Sequence, residues 1–291
     1  MNTIWSKYIQ GIKTLYLSRK LRFDDMFSQE YKRFFNFEEK RTIKILEIGC
    51  GPGALASALH RWYPNAEITA VDRDTDFINF AKEHESGVSF VECDATELPF
   101  PNDTFDVTIS NTVSEHIEPS KFYTEQYRVL KHGGSCIVLT SRKGINIEPN
   151  SFVYDEFEKA FWEKIQKHDD SMQKYSICKY PMNESELPMT MQSYGFDAVS
   201  TAYTTVDLTP DDSKYPPEMA KDMINSNRYG AIEAIESVLN TLPEHTSEEE
   251  INKMLEIANR RFDSRIEDYD AGKKHWDTDV SVIMMIKGQK P

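Results

Sequence analysis

Apolar and polar positions follow two alternating patterns over residues 44–141 of this chain. Short apolar runs, which are typical of strands buried on both faces, alternate with stretches in which apolar residues recur every three to four positions, as on one face of a helix. Such an alternation implies parallel strands joined by right-handed crossovers, with helices on both faces of the sheet. The predicted strands lie at 44–48, 66–71, 88–92, 105–110 and 136–140.

Two further strands are predicted later in the chain, at 196–208 and 280–286, and we expect them to form an antiparallel pair at the sheet edge. The prediction is therefore an α/β fold with a doubly wound seven-stranded sheet, mostly parallel with an antiparallel last strand. An N-terminal helical arm and C-terminal helical insertions complete it. In such a sheet the ligand lies beyond the C-terminal ends of the strands.

Spacing and capping residues predict several helix boundaries. An amphipathic helix is expected over 151–168, because its apolar positions recur every four residues. Gly133 and Gly134 are expected to end the helix before the fifth strand. Capping boxes are indicated for Asn183 with Glu186 and for Ser247 with Glu250.

The organisation divides the chain into an arm at 1–43, a core at 44–141 and a C-terminal part at 142–291. Insertions occupy 151–194 and 209–277 of that last part. Long additions at the ligand end of an α/β sheet usually shape the substrate pocket. A dimer interface is the alternative, so a monomer and a homodimer both remain open.

Charge is distributed unevenly. The chain has 34 Lys and Arg against 48 Asp and Glu, a net charge of −14, yet residues 1–44 carry +5 and the remainder −19. An acidic body repels phosphate backbones, so we expect no nucleic acid partner. The basic arm leaves peripheral contact with a membrane open. No apolar run is long enough to cross a bilayer and no secretory signal is recognisable, so we expect a cytoplasmic protein without integral membrane association.

Cysteine and histidine spacing indicates no metal site. The cysteines are too far apart in sequence for a C-x-x-C pair, and free thiols are the simpler interpretation. Carboxylates and histidines also lack the clustering that metal ligands need. The four cysteines are Cys50, Cys93, Cys136 and Cys178.

A glycine-rich turn, E-I-G-C-G-P-G at 47–53, follows the first predicted strand. Glycines let the backbone turn sharply and approach a ligand closely. The same stretch also fits a dinucleotide-binding template through Gly49, Gly51 and Ala54, so the glycines alone do not choose between cofactors. A nicotinamide-dependent oxidoreductase and a non-catalytic binding module therefore remain alternatives.

Three carboxylates at predicted strand ends bear on the choice of cofactor, although Asp72 fits both of the cofactors considered. Glu47 at the entrance to the turn suits an ammonium and a sulfonium better than a pyrophosphate. Asp72, at the end of the second strand, can accept hydrogen bonds from both hydroxyls of a ribose. Asp94, at the end of the third, can accept one from an adenine amino group.

Taken in order, these motifs resemble those of the class I S-adenosylmethionine-dependent methyltransferases, near the ubiquinone/menaquinone-biosynthesis-like branch. The sequence departs from the family pattern at His132, where a proline is usual. The segments that carry the resemblance are 45–53, 71–72, 93–100, 104–106, 114–116 and 128–134.

The resemblance implies S-adenosylmethionine as cofactor and methyl transfer to an oxygen or nitrogen atom of a small-molecule acceptor. It implies that the glycine turn holds the methionine end of the cofactor, that Arg73 lies near the adenine face and that Asn111 lies beside the amino acid moiety. The full set implied for cofactor binding is Glu47, Gly49, Cys50, Gly51, Gly53, Asp72, Arg73, Asp94, Ala95 and Asn111.

Candidate catalytic residues follow the fourth strand. Glu115 and His116 stand at the mouth of the expected site, where a general base would act, and histidine titrates near neutral pH. Capping of the next helix is the alternative role for His116. In the arm, Arg19 and Arg22 lie a turn apart. We expect them to form a solvated basic face, with contact to the cofactor carboxylate as the alternative.

Overall fold

In a computed structural model that describes residues 4–38, 42–170 and 174–291, one mixed sheet organises the chain. Residues 1–3 and 39–41 of the predicted arm and residues 171–173 of the first predicted insertion lie outside the described residues. The strand order is β3-β2-β1-β4-β5-β7-β6, with β7 antiparallel to both of its neighbours. This confirms the predicted doubly wound fold and its antiparallel edge pair. The strands are β1 (Lys44–Ile48), β2 (Glu67–Asp72), β3 (Val88–Glu92), β4 (Phe105–Asn111), β5 (Leu130–Ile147), β6 (Asp197–Leu208) and β7 (Thr278–Gln289).

Helices cover both faces of this sheet and extend past its C-terminal edge. None of the described helices combines the length and the apolar character that crossing a bilayer requires. Short 3₁₀ helices occur at Asp25–Phe27 and Pro243–His245. The α-helices are α1 (Ile4–Tyr8), α2 (Ile12–Arg22), α3 (Ser28–Phe35), α4 (Ala54–Trp62), α5 (Thr75–His84), α6 (Pro119–Val129), α7 (Glu156–Gln166), α8 (Glu186–Ser193), α9 (Pro217–Thr241) and α10 (Glu248–Asp270).

Strand β1 shows why the apolar run at its centre is continuous. Ile45 and Leu46 are neighbours, so their side chains point to opposite faces of the sheet, and both are fully buried. Ile45 lies in the core that includes Leu59 of α4, whereas Leu46 lies in the core that includes Phe122 of α6. Each such burial contributes about 1.5–3 kcal/mol, and together they fix the helices against the sheet.

The region before β5 differs from the prediction. Helix α6 ends at Val129, ahead of the two glycines that were expected to cap it, so that prediction is wrong. The pairing of β4 with β5 instead jumps from Leu130 to Ser135, and the residues between them bulge out of the ladder. Gly134 is required in this bulge, because a Cβ there would lie 2.8 Å from a backbone carbonyl oxygen.

Pairing also decides where later elements begin and end. β5 continues to Ile147 because β7 pairs with it along that extension, which the local sequence does not reveal.

Helix α7 begins at Glu156, inside the predicted 151–168, behind a capping box of Asp155 and Glu158. The two predicted pairs, Asn183 with Glu186 and Ser247 with Glu250, form reciprocal hydrogen bonds. In each pair the backbone N–H of either residue donates to the side chain of the other.

A buried ion cluster anchors α10 to the sheet. Arg265 is 1% exposed and donates to Asp277 at 2.7 Å and to Asp211 at 3.0 Å, although its residue type is rarely found in a core. Asp211 also accepts the backbone N–H groups of His275 and Trp276. The cluster therefore joins the connection after β6 to the connection before β7.

Helix α9 in turn supports the arm. Its Glu233 accepts the N–H groups of Gly11 and Thr14 at 3.1 and 3.3 Å, so it satisfies donors that the first turn of α2 leaves unpaired. A carboxylate is also favoured at a helix N-terminus by the helix dipole. Through this contact the insertion fixes the position of α2 at the C-terminal edge of the sheet.

We expect Arg265→Ala to lower the free energy of unfolding by about 3–5 kcal/mol, because it leaves two carboxylates buried without their cation. Arg260→Ala on the same helix is the matched control, since Arg260 and Glu256 form an exposed pair that contributes less than about 1 kcal/mol. Urea unfolding of both variants measures the difference. Equal losses would contradict the anchoring role of the cluster.

Candidate functional site

A cavity of about 430 Å³ lies at the C-terminal ends of β1, β2 and β4, where the fold predicts a ligand. Most residues predicted for the site line its wall. Gly53 and Glu115 are not part of the wall. The predicted residues that the structure brings together there are Glu47, Gly49, Cys50, Gly51, Asp72, Arg73, Asp94, Ala95, Asn111 and His116.

The glycine turn forms the floor of this cavity. Gly49 has a φ of +69°, and a Cβ on it would lie 2.4 Å from Cγ2 of Val113, so only glycine fits between β1 and the end of β4. Gly53, with a φ of +92°, precedes α4, and a Cβ there would come within 3.0 Å of the Phe90 ring. Gly53 therefore allows the helix to pack closely on the sheet, away from the cavity itself.

Glu47 places an unsatisfied acceptor in the floor. Its side chain is 2% exposed, and its Oε2 atom has no hydrogen-bond partner within the described part of the chain. Burial and the nearby charge of Asp72 raise the pKa of Glu47 well above 4.5, while the backbone N–H of Ala56 in α4 lowers it. A buried carboxylate with an open oxygen is an acceptor suited to a cationic group.

Three further polar side chains of the wall come from the ends of β2, β3 and β4. Two of them, Asp72 and Asp94, accept hydrogen bonds from the turns that follow their strands. Asp72 accepts the N–H of Gly51 at 2.8 Å and that of Asp74 at 2.9 Å, and burial raises its pKa. Asp94 accepts two bonds from Thr96 through Oδ1, and neither bond uses Oδ2. Asn111 is 8% exposed, and its Oδ1 has no partner among the described residues.

The arm covers the cavity from above. On α2, Leu15 and Arg19 lie one turn apart and both line the wall. A Cβ on Gly51 would lie 3.1 Å from Cδ2 of Leu15, and Nη2 of Arg19 donates to Oγ1 of Thr112 at 3.2 Å. Thr112 is held at a φ of +53°, which strains a β-branched residue by about 1–3 kcal/mol.

This arrangement corrects the expectation of a solvated basic face. Arg19 lines the cavity, and burial lowers its pKa well below the ordinary value. Arg22 is only 9% exposed, and burial also lowers its pKa. The sequence signal for this was the i, i+4 spacing of Leu15 and Arg19, which places an apolar and a cationic side chain on one helix face.

His116 is held in a defined orientation. Its Nδ1 accepts the backbone N–H of Cys178 at 3.0 Å, and its ring meets the edge of Trp5 with centroids 4.7 Å apart. Burial lowers its pKa, and Arg73 adds to this, whereas Glu115 opposes it. A neutral imidazole that accepts through Nδ1 carries its proton on Nε2. Helix α6 begins behind Glu118, so His116 does not cap it.

Two segments meet above the cavity and are called the roof: residues 4–22 of the arm and residues 174–180 of the first insertion. Tyr8 stacks on Tyr175 with ring centroids 5.5 Å apart, and the N–H of Tyr180 donates to the carbonyl of Glu115. Sequence reasoning missed the wall residues that the roof and its surroundings contribute. These are Trp5, Gln10, Leu15, Thr112, Glu118, Lys121, Ser176 and Lys179, together with apolar side chains.

Comparisons with known proteins agree with this geometry. The family model for a methyltransferase domain matches residues 46–138. A ubiquinone/menaquinone biosynthesis C-methyltransferase of Proteus mirabilis is 30% identical over 175 residues, which cover 55% of this chain and 69% of that protein. A fatty-acid O-methyltransferase of Mycolicibacterium smegmatis is 39% identical over 108 residues, 36% of this chain. The match spans 39% of the length of that O-methyltransferase.

A solved structure shares the fold. Phosphoethanolamine N-methyltransferase 2 of Haemonchus contortus, in complex with S-adenosyl-L-methionine, matches with a TM-score of 0.52 at 19% identity. The match covers 99% of this chain and 59% of that chain. At this identity the likeness concerns the fold alone, which is the doubly wound sheet described above.

Because burial raises the pKa of Glu47, the folded protein retains a proton that the unfolded chain releases near pH 4.5. The free energy of unfolding therefore falls as pH rises from about 4.5 through the raised pKa. We expect Glu47→Gln to remove this fall, so that the variant gains stability relative to the wild type between about pH 4.5 and pH 8.

Urea unfolding of both proteins at the two pH values measures this effect. Asp72 also has a raised pKa and its charge acts on Glu47, so the difference between the two proteins reports the titration of this coupled pair. A difference in stability that does not change with pH would contradict the buried state of Glu47.

Proposed function

This chain belongs to the class I S-adenosylmethionine-dependent methyltransferases, in the ubiquinone/menaquinone-biosynthesis-like branch, and we propose that it methylates an oxygen or nitrogen atom of a small-molecule acceptor. The relatives it matches are named for methylation at carbon and at oxygen, so their names do not decide the acceptor atom. The matched segments span only 39% and 40% of the first two relatives, and the activity of the whole protein is therefore part of the proposal.

The open oxygen of Glu47 carries the proposal. A buried carboxylate without a donor is costly unless a ligand supplies one, and the ammonium of S-adenosylmethionine is such a donor. The positive sulfonium benefits from the same negative charge. A pyrophosphate at this position would face a carboxylate at the floor, which argues against a nicotinamide dinucleotide.

The remaining cofactor contacts follow along the strand ends. We assign the ribose hydroxyls to Asp72, whose carboxylate the N–H of Gly51 holds at the end of β2. We assign the adenine to Asp94 and Ala95, with the Arg73 guanidinium against its face, because all three residues line the wall beyond β2 and β3. Asn111 offers its unpaired Oδ1 to the amino acid moiety.

Arg19 completes the part of the site that we assign to the amino acid moiety of the cofactor. It is the cation of α2 that lines the cavity, it contacts Thr112 beside Asn111, and no ion pair of Arg19 occurs among the described residues. The α-carboxylate of the cofactor lies next to its ammonium, so a guanidinium facing the glycine turn suits it. We therefore assign that carboxylate to Arg19.

S-adenosylmethionine supplies an already activated methyl group, so the protein has mainly to align the acceptor and exclude water. Trp5, Leu15 and Tyr180 provide the apolar roof that would do so. His116 presents Nε2–H and is positioned to donate a hydrogen bond to the acceptor. An acceptor oxygen or nitrogen already has the lone pair needed for attack.

We expect Asp72→Asn to weaken S-adenosylmethionine binding by about 5–150-fold, which corresponds to the loss of a charge-assisted hydrogen bond or two. Glu92→Gln is the matched control, because Glu92 lies opposite Asp72 in the β2–β3 pair but not in the wall of the cavity. Calorimetry with S-adenosylmethionine, S-adenosylhomocysteine and NADH measures the affinities. Tight NADH binding, or an Asp72 variant of unchanged affinity, would contradict the assignment.

For Arg19 we expect a loss that depends on the ligand. Arg19→Gln should weaken S-adenosylmethionine at least about tenfold, whereas decarboxylated S-adenosylmethionine should bind the wild type and the variant alike. Lys20→Gln, a neighbouring exposed cation of α2, should change neither affinity. Equal losses of affinity for both ligands would contradict the assignment of the cofactor carboxylate to Arg19.

A further inference from the structure

Cations gather at the wall of the cavity in an otherwise acidic protein. Arg73, Lys121 and Lys179 line it on the side of His116, although the chain as a whole carries −14. Lys121 has only a loose, exposed pair with Glu118 at 3.7 Å. Within the described residues, neither Arg73 nor Lys179 takes part in an ion pair. Charges of one sign at a cleft with apolar walls raise the local concentration of ligands of the other sign.

The same wall offers the acceptor no ready base. Nδ1 of His116 is engaged by Cys178, and Nε2 carries the proton, so the neutral ring donates rather than accepts. Glu115 is not part of the wall. Burial raises the pKa of the Cys50 and Cys93 thiols, which keeps them protonated at neutral pH. Glu118 also lines the wall, but its carboxylate accepts from the Ser120 hydroxyl at 2.8 Å and pairs with Lys121. The remaining carboxylates of the wall are those assigned to the cofactor.

From these two observations we propose that the methyl acceptor is a carboxylic acid in its ionised form, bound beside His116 by Lys121 and Lys179. The inference rests on the proposed methyltransferase function. A carboxylate needs no base, because it has lost its proton in water before it binds. A neutral phenol or a protonated amine would need one, and Glu118, the wall carboxylate that is not assigned to the cofactor, is already engaged by Ser120 and Lys121.

The reaction balances without a proton transfer. A lone pair of one carboxylate oxygen attacks the methyl carbon, the carbon–sulfur bond breaks and its electron pair stays on sulfur. The products are a methyl ester and S-adenosylhomocysteine. Nε2–H of His116 donates to the other carboxylate oxygen and orients the group. The cations interact most strongly with the charged substrate, so they contribute to its binding more than to the chemical step.

The direct test uses the alkali lability of methyl esters. The full chain is incubated with S-adenosylmethionine labelled with tritium in the methyl group and with octanoate, dodecanoate or benzoate. Octylamine, 1-octanol and catechol serve as matched acceptors of other classes. We expect label in carboxylate products that alkali releases as volatile methanol, and none in the others.

Label that is stable to alkali, in the amine, the alcohol or the catechol, would overturn the inference and leave the proposed function standing. If none of the probes is labelled, the same assay is run on a small-molecule extract of bacterial cells. An extract that yields no alkali-labile label would also overturn the inference. The separate calorimetric titration identifies failure of the proposed function, since a chain that binds no S-adenosylmethionine is not this enzyme.

Variants test the wall lysines and His116 separately, beginning with the lysines. The double variant Lys121→Ala and Lys179→Ala should raise the KM for the carboxylate about 3–30-fold, more than it lowers kcat, and should reduce the dependence of KM on salt. Lys159→Ala, an exposed lysine of α7 that is not part of the wall, is the control. An unchanged KM in the double variant would count against the cationic wall.

His116→Gln keeps an acceptor for the Cys178 N–H and a donor for the substrate, but it cannot act as a base. We expect kcat to fall less than about tenfold, whereas loss of a general base costs about 10²–10⁴-fold. Arg73, Glu115, Trp5 and the Cys178 backbone are the groups that face this ring. A decrease in kcat of about 10²–10⁴-fold would overturn the proposed donor role of His116.

Discussion

A carboxylate oxygen at the end of β1, buried without a donor from any described residue, is the constraint on which the whole site depends. Glu47 is held there because its neighbours in β1 are fully buried on both faces of the sheet, so the strand cannot turn to expose it. The N–H of Ala56 offsets part of the cost through the first turn of α4. The rest is left for a cation that enters the cavity. Under the proposed function that cation is the cofactor ammonium, so the stability of the free protein is linked to cofactor binding.

The position of the roof above the cavity depends on contacts with distant parts of the chain. Arg19 reaches the cavity because Leu15 packs over Gly51 and because Glu233 of α9 holds the first turn of α2. Helix α9 packs on α10, and Arg265 fixes α10 to the sheet. The second insertion therefore acts on the site through the arm, as a support for the helix that covers the cofactor cavity.

The sequence was informative wherever a local pattern determined the structure. The strand–glycine–helix motif, the two capping boxes and the alternation over 44–141 all depend on neighbours within a few residues, and the fold followed from them. Contacts between distant segments were not predictable in this way. Arg19 meets Thr112 and Cys178 meets His116 across 93 and 62 residues, and no local period records either contact. The same holds for β5, whose length is decided by its partner β7, and for Gly134, which serves a bulge rather than a cap.

The most direct test of this account is the proton released when S-adenosylmethionine binds, measured by calorimetry at about pH 6 in two buffers of different ionisation enthalpy. If the ammonium meets the buried Glu47 carboxylate, binding must expel the proton that burial retains there. We expect release of up to about one proton by the wild type and clearly less by Glu47→Gln. Tight binding with no proton release, or with the same release in both proteins, would contradict it.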